Sequence, residues 1–148
     1  MEQKGSMLLK VISIIMMVGG IIGAVGSVIM ALAAGVFSAF TSDASVQQAA
    51  SNAGVSATAI GAMLWVAVAI LIITAVIEII AGVKGKNNWN NPAAATTLIV
   101  FGVVCAVLGV VGSILFATNG GSAVVSIITS VVLPVLYIIG AVQLKNQA

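Results

Sequence analysis

The sequence predicts an all-α, polytopic membrane protein: a four-helix transmembrane bundle of two hairpins, with the N- and C-termini both cytoplasmic. Three observations carry that prediction. Charged residues make up 5% of the chain and hydrophobic residues 61%. Soluble domains carry roughly 25% charged residues, so this chain cannot cover a water-facing surface and a soluble fold is excluded. Apolar runs long enough to cross a bilayer, about 20 residues each, recur four times. The five basic residues are all lysines, and they stand at the ends of those runs. At 148 residues the chain falls within the size of one domain.

The first span is expected over 8–34, with its apolar character reaching Phe40. Lys4 and Lys10 precede it, and Ala31-Leu32-Ala33 resembles a signal cleavage site. A signal core is about 7–15 apolar residues, whereas Val11 to Phe40 is uncharged over about twice that length. The run is therefore read as a retained span. Its surplus length implies tilt or protrusion on the far side. Gly20, Ala24, Ser27 and Ala31 form a face of small residues, and Gly19 and Gly23 add a small-xxx-small pair. Such residues let helix backbones approach closely, which is what drives association in lipid. The bland reading, contact within the chain, is preferred over a homodimer seam.

An outer loop, 41–56, follows. Ser42 is placed to cap a short helix over Ala44 to Ala53, and Gly54 to end it. The second span covers 57–82, with Ser56 or Thr58 as cap. A hinge at 83–91 holds Lys84, Lys86 and Trp89. The third span covers 92–116, with Asn91 as N-cap and Pro92 at the first helical position, where a missing N–H costs nothing. Asn119-Gly120-Gly121 reads as a tight turn. The fourth span covers 122–144. Pro134 inside it removes one backbone hydrogen bond, and a kink is expected there, softened by Ser130 or Thr129.

With four spans, Lys4, Lys10, Lys84, Lys86 and Lys145 all fall on one side. The positive-inside rule makes that side cytoplasmic, with Trp89 and Tyr137 near its interface. A weak internal repeat fits the layout. Ile22-Gly23-Ala24-Val25-Gly26-Ser27 resembles Leu108-Gly109-Val110-Val111-Gly112-Ser113, and Ile79-Ile80-Ala81-Gly82 aligns with Ile138-Ile139-Gly140-Ala141. The repeat would be parallel, and compositional bias alone also generates such matches. On this reading Gly19, Gly20, Gly23, Ser27, Gly109, Gly112 and Ser113 are the candidate helix-packing residues.

Glu78 is the one acid inside an apolar run. It lies about 9 Å along a helix from Lys84. An intramembrane carboxylate points by default to function, here proton or cation coupling. The alternative is structural: an ion pair with Lys10 or a hydrogen bond with Tyr137, which occupies the matching position in the second hairpin. Trp65 reads as packing or an outer-interface anchor.

The rest is defined by what is missing. There is no histidine and no arginine, no serine–base pair, carboxylate dyad, metal cluster, phosphate loop or dinucleotide fingerprint. No catalytic, cofactor-binding or metal-binding residue is expected, nor an enzyme. The single Cys105 forms no intrachain disulfide. The lysines make no basic patch with aromatics, so nucleic acid is not an expected partner.

The lysine-flanked first span and the span ends Ala81-Gly82-Val83-Lys84 and Gly140-Ala141-Val142-Gln143 resemble those of small, uncharacterised four-span membrane proteins of Gram-positive bacteria. The resemblance covers the whole chain and implies a bacterial cell (plasma) membrane location and no particular activity. In size and span count the chain is also similar to small multidrug-resistance transporters. Their essential glutamate lies within the first span, whereas the acid here lies near the end of the second, so their function is not carried over. Two functions follow as expectations. The first is a structural or interaction protein, an accessory subunit or self-associating tetraspan whose partners are the lipid bilayer and a second copy or another membrane protein. The alternative is a small transporter or channel using Glu78 and the Pro134 kink.

Overall fold

The computed structural model describes residues 6–118 and 123–147, without the side chains of 115–118 and 123–129. The turn at Asn119-Gly120-Gly121, Ser122, Lys4 and the Thr129 side chain lie outside the described residues. The described chain is all helical, with five α-helices: α1 (Met7–Thr41), α2 (Ala44–Asn52), α3 (Ala57–Asn87), α4 (Ala95–Thr118) and α5 (Ala123–Lys145). One 3-10 turn, Pro92–Ala94, leads into α4. The segments Met7–Thr41, Ala57–Asn87 and Pro92–Ile114 are long and apolar enough to cross a membrane, and Ser130–Lys145 is a shorter apolar helix. They mark a membrane protein.

Local chemistry sets the helix ends. The Ser6 hydroxyl accepts from the Leu9 amide at 3.2 Å and starts α1. The helix then runs unbroken to Thr41, past the expected end at 34, because nothing between them interrupts it: Gly35 is the one weak former in that stretch, and the Ser38, Thr41 and Ser42 hydroxyls all turn back onto helix carbonyls. At 35 residues, α1 is about 52 Å long. Ser42 is thus a terminator of α1, and the cap of α2 is Asp43, whose carboxylate accepts from the Ser45 amide at 2.9 Å and hydroxyl at 2.7 Å. Gly54 ends that turn at φ 73°, a left-handed conformation that glycine adopts without strain. Ser56 caps α3 through the Ala59 amide. α3 continues to Asn87, five residues beyond the expected 82, so the first half of the hinge is helical. The Asn88 amide and side chain both close on the Lys84 carbonyl there. Asn91 caps the Pro92 turn by accepting from the Ala93 amide. In α5 the helix passes through Pro134 without a break.

Helix α1 packs along α3, and α4 along α5; the two hairpins meet less extensively through α3–α4 and α1–α5. The α1–α3 seam has a seven-residue period. Ser13, Gly20, Ser27, Ala34 and Thr41 are buried on α1, and Gly61, Val68, Ala75 and Gly82 on α3. A heptad period keeps one stripe facing its partner along a left-handed supercoil. The backbones touch where the stripe is smallest. A Cβ added at Gly82 would lie 2.7 Å from the Ser13 carbonyl oxygen and the Met17 amide nitrogen, and one at Gly20 would lie 3.0 Å from the Ala75 carbonyl oxygen. Toward the other end the helices are further apart, and a Cβ at Gly61 would meet only the Ser38 hydroxyl, at 4.0 Å. In the second hairpin a Cβ at Gly109 would lie 2.7 Å from the Ser130 carbonyl oxygen, the carbonyl to which Pro134 has no N–H to offer.

Among the described residues, contacts between the hairpins gather at the lysine-bearing end. A continuous core there joins Leu9, Ile12 and Met16 of α1, Ala81 of α3, Leu98 and Cys105 of α4, and Tyr137 and Leu144 of α5. Away from that end the apolar side chains turn outward, with Leu32, Met63 and Val107 more than half exposed. That surface is suited to lipid, which solvates apolar groups as well as leucine does.

Two outcomes follow. Gly82→Ala should destabilise the fold by about 1–3 kcal/mol through overpacking, whereas Gly19→Ala, where a Cβ meets nothing within 4 Å, should stay within about 0.5 kcal/mol of the parent; reversible denaturation in mixed micelles measures both. The Ser45 hydrogen bonds hold the Asp43 carboxyl below its ordinary value. A depressed folded value means that the α2 cap is at full strength above the unfolded pKa of about 3.9 and is lost as pH falls through the lower folded value. An NMR titration of the Ser45 amide should therefore show a midpoint below about 3.9.

Candidate functional site

The lysine-bearing end assembles the chain's distinctive polar groups, and its centre is Tyr137. The ring is fully buried, and its hydroxyl donates to the Ala81 carbonyl at 2.8 Å, reaching from α5 across the bundle to α3. It fits because two of its walls are glycine. A Cβ at Gly85 would lie 2.7 Å from Tyr137 Cε2, and one at Gly102 would lie 3.0 Å from Tyr137 Cδ1. Gly140 lets the Leu9 backbone of α1 close over the same layer, since a Cβ there would lie 2.9 Å from Leu9 N. Ser13 is also fully buried beside Gly85, and its hydroxyl has no hydrogen-bond partner.

The structure separates the three residues that sequence position groups together. Glu78 is half-buried on α3 and makes no ion pair or hydrogen bond among the described residues. Lys10 does not reach it. The α1–α3 register sets Glu78 level with Met17, about 10 Å deeper than Lys10. The Lys10 ammonium instead lies over the Trp89 ring, 4.6 Å from its centroid. Tyr137 does not reach Glu78 either, because its hydroxyl is committed to the Ala81 carbonyl, one turn nearer the lysine end. Lys84 lies 5.7 Å from the Phe101 ring centroid.

The small-residue positions divide similarly. Gly20, Ser27, Gly109 and Ser113 lie in the seams, and Gly23 rests on the Ala75 methyl at 3.6 Å from its would-be Cβ. The Ser27 and Ser113 hydroxyls donate to the Ala24 and Gly109 carbonyls, both at 2.7 Å, and Ser113 also meets the Ser130 hydroxyl. Gly19 and Gly112 are outside these seams, with open space where a Cβ would be. They fall beside the stripe, which recurs every seven residues through Gly20 and also takes in Ser13, as it takes in Gly82 on α3. Pro134 is buried.

Two features lie apart from this end. Trp65 donates to the Ser38 hydroxyl at 3.1 Å, about 26 Å from Gly82 along α3. A surface cavity of about 380 Å³ lies at the α2–α3 junction, lined by Gln47, Ser51, Ser56 and Thr58 among others, and Glu78 is not part of it. No group of three or more His, Cys, Asp or Glu that could hold a metal ion occurs among the described residues.

Two substitutions separate the roles of these hydroxyls. Tyr137→Phe should cost about 1 kcal/mol by deleting a made hydrogen bond, while Ser13→Ala should be neutral or stabilising by up to about 1 kcal/mol, because it removes a buried polar atom that has no partner. Unfolding in micelles reads both.

No family model matches this chain, and no curated protein or solved structure matches it, so its function is to be read from the geometry of its own residues.

Proposed function

We propose that the chain is a four-span protein of the bacterial cell membrane, with both termini and the Lys84–Lys86 hinge on the cytoplasmic side. It acts as an interaction or structural protein, an accessory subunit or self-associating tetraspan, and not as an enzyme. The observation that carries this reading is the closed lysine-bearing end. Leu9, Tyr137 and Leu144 are each 0% exposed and Leu98 is 1% exposed, so side chains fill the space between the four helices where a transport path would have to leave. The outward-turned apolar faces of α1, α3 and α4 remain available to lipid or to a partner's helices. The orientation rests on the lysines, which the positive-inside rule keeps on one side.

A second reading, a small transporter or channel, is favoured by one observation, that Glu78 has no ion-pair or hydrogen-bond partner among the described residues. Ionisable groups within spans are costly to bury, and a group left unmatched is a candidate for binding or relay. In this reading Glu78 takes a cation or proton and the Pro134 region supplies the movement.

Purification in lipid nanodiscs followed by mass measurement separates the two. The interaction reading expects a complex of fixed stoichiometry, with a second copy or another membrane protein, that persists in Glu78→Gln. A monomer that moves cations across liposomes, with flux lost in Glu78→Gln at unchanged helix content, would replace it with the transport reading.

A further inference from the structure

The described lysines lie at one end of the bundle, yet they are not in equivalent surroundings. Lys84 and Lys86 stand in the last turn of α3, and Lys145 in the last turn of α5. There the negative end of a helix dipole meets their charge. Lys10 is in the opposite situation. It lies at the start of α1, near the positive end of that helix, and the first turn of α1 contains no acid. The described acids are elsewhere: Asp43 caps α2, and Glu78 is half-buried further along α3. What Lys10 has is the face of Trp89, 4.6 Å away. Trp89 is itself tied to the start of α1, since its carbonyl accepts the Ser6 amide at 3.0 Å. Beside Lys10, on the same side of α1, Met7, Val11 and Ile14 are exposed at 66%, 47% and 38%. Among the described residues this held cation meets no acid, and it stands next to a strip of bare apolar side chains.

We propose that this corner, Lys10 with Trp89 and the Met7–Val11–Ile14 strip, binds an anionic phospholipid. The headgroup phosphate meets the Lys10 ammonium at the depth where tryptophans anchor in the interface, and an acyl chain lies along the strip. A lone phosphate ion supplies the charge but leaves the strip uncovered, and a zwitterionic lipid covers the strip but brings its own ammonium to Lys10. An anionic lipid satisfies both. The site needs only that the lysine-bearing end reach a membrane surface, and it stands whether or not the protein works through partners.

The test uses the full chain carrying Trp65→Phe, so that Trp89 is the reporter, in phosphatidylcholine vesicles with increasing fractions of phosphatidylglycerol. Trp89 emission is expected to change saturably with the anionic fraction. Lys10→Gln should weaken the apparent affinity by about fivefold, the effect of one lysine near an anionic surface. Lys10→Arg should restore it, and Lys145→Gln should follow the parent. Helix content measured alongside establishes that each variant is folded, and Lys10→Arg carries the comparison if Lys10→Gln is not. Inorganic phosphate added to phosphatidylcholine vesicles should leave Trp89 unchanged. The proposal is overturned if Trp89 does not respond to phosphatidylglycerol, if Lys10→Gln titrates like the parent, if Lys145→Gln weakens binding equally, or if free phosphate reproduces the change.

Discussion

Two helix backbones in contact set the terms for the rest of this molecule. Lipid gives apolar helices no reason to leave it, so a bundle in a membrane is held by packing and by hydrogen bonds between helices. Here Gly82 brings α3 onto the Ser13 carbonyl, and Gly20 brings α1 onto the Ala75 carbonyl. At that separation neither helix can rotate or slide without collision. The register that results puts Gly85 beside Ser13, opens the slot that Tyr137 fills, and leaves Glu78 level with Met17. The separation of Glu78 from Lys10 is a consequence of that register.

The second hairpin repeats the idea with different chemistry. Gly109 lies against the Ser130 carbonyl, so the α4 backbone covers the part of α5 that Pro134 deprives of an N–H. Where the hairpins meet, the linking element is one hydrogen bond across the bundle, from Tyr137 to the Ala81 carbonyl. Polar contacts of this kind have their full effect only where water is excluded. Leu9, Leu98 and Leu144 provide that exclusion. The result is a bundle shut at its charged end and dressed in apolar side chains along its length. Such a shape suits contact with lipid and with other helices better than passage through its middle.

Much of the architecture is legible without coordinates, because its causes are local. The helical class and the membrane setting follow from apolar runs and sparse charge. Ser56, and Asn91 with Pro92, announce helix starts by chemistry that acts within three residues. What sequence reading misses depends on the relative placement of helices. Grouping Gly20 with Ala24 and Ala31 selects by small size, whereas the buried stripe is Ser13, Gly20, Ser27 and Ala34, with Ala24 and Ala31 only partly buried beside it. The seven-residue recurrence is itself a sequence signal and would have found Gly82 as well. The pairing of Glu78 with Lys10 fails for a different reason. Both lie toward the same end, but a hairpin brings residues together by register, and only contact between the backbones determines it. The Trp89–Lys10 contact depends in turn on how the hinge folds over the start of α1, which no periodicity encodes.

The α1–α3 register is tested most directly by cysteine cross-linking in native membranes. In a Cys105→Ala background, Gly23→Cys paired with Ala75→Cys tests the seam, because a Cβ at Gly23 would lie 3.6 Å from the Ala75 Cβ, within the range of about 3.5–4.5 Å that a disulfide needs. Mild oxidation should join them within one chain, while Gly19→Cys paired with Ala75→Cys should stay open, since a Cβ at Gly19 meets nothing within 4 Å. A cross-link that forms only between chains, or equally in the control pair, would contradict the register and the arrangement built on it.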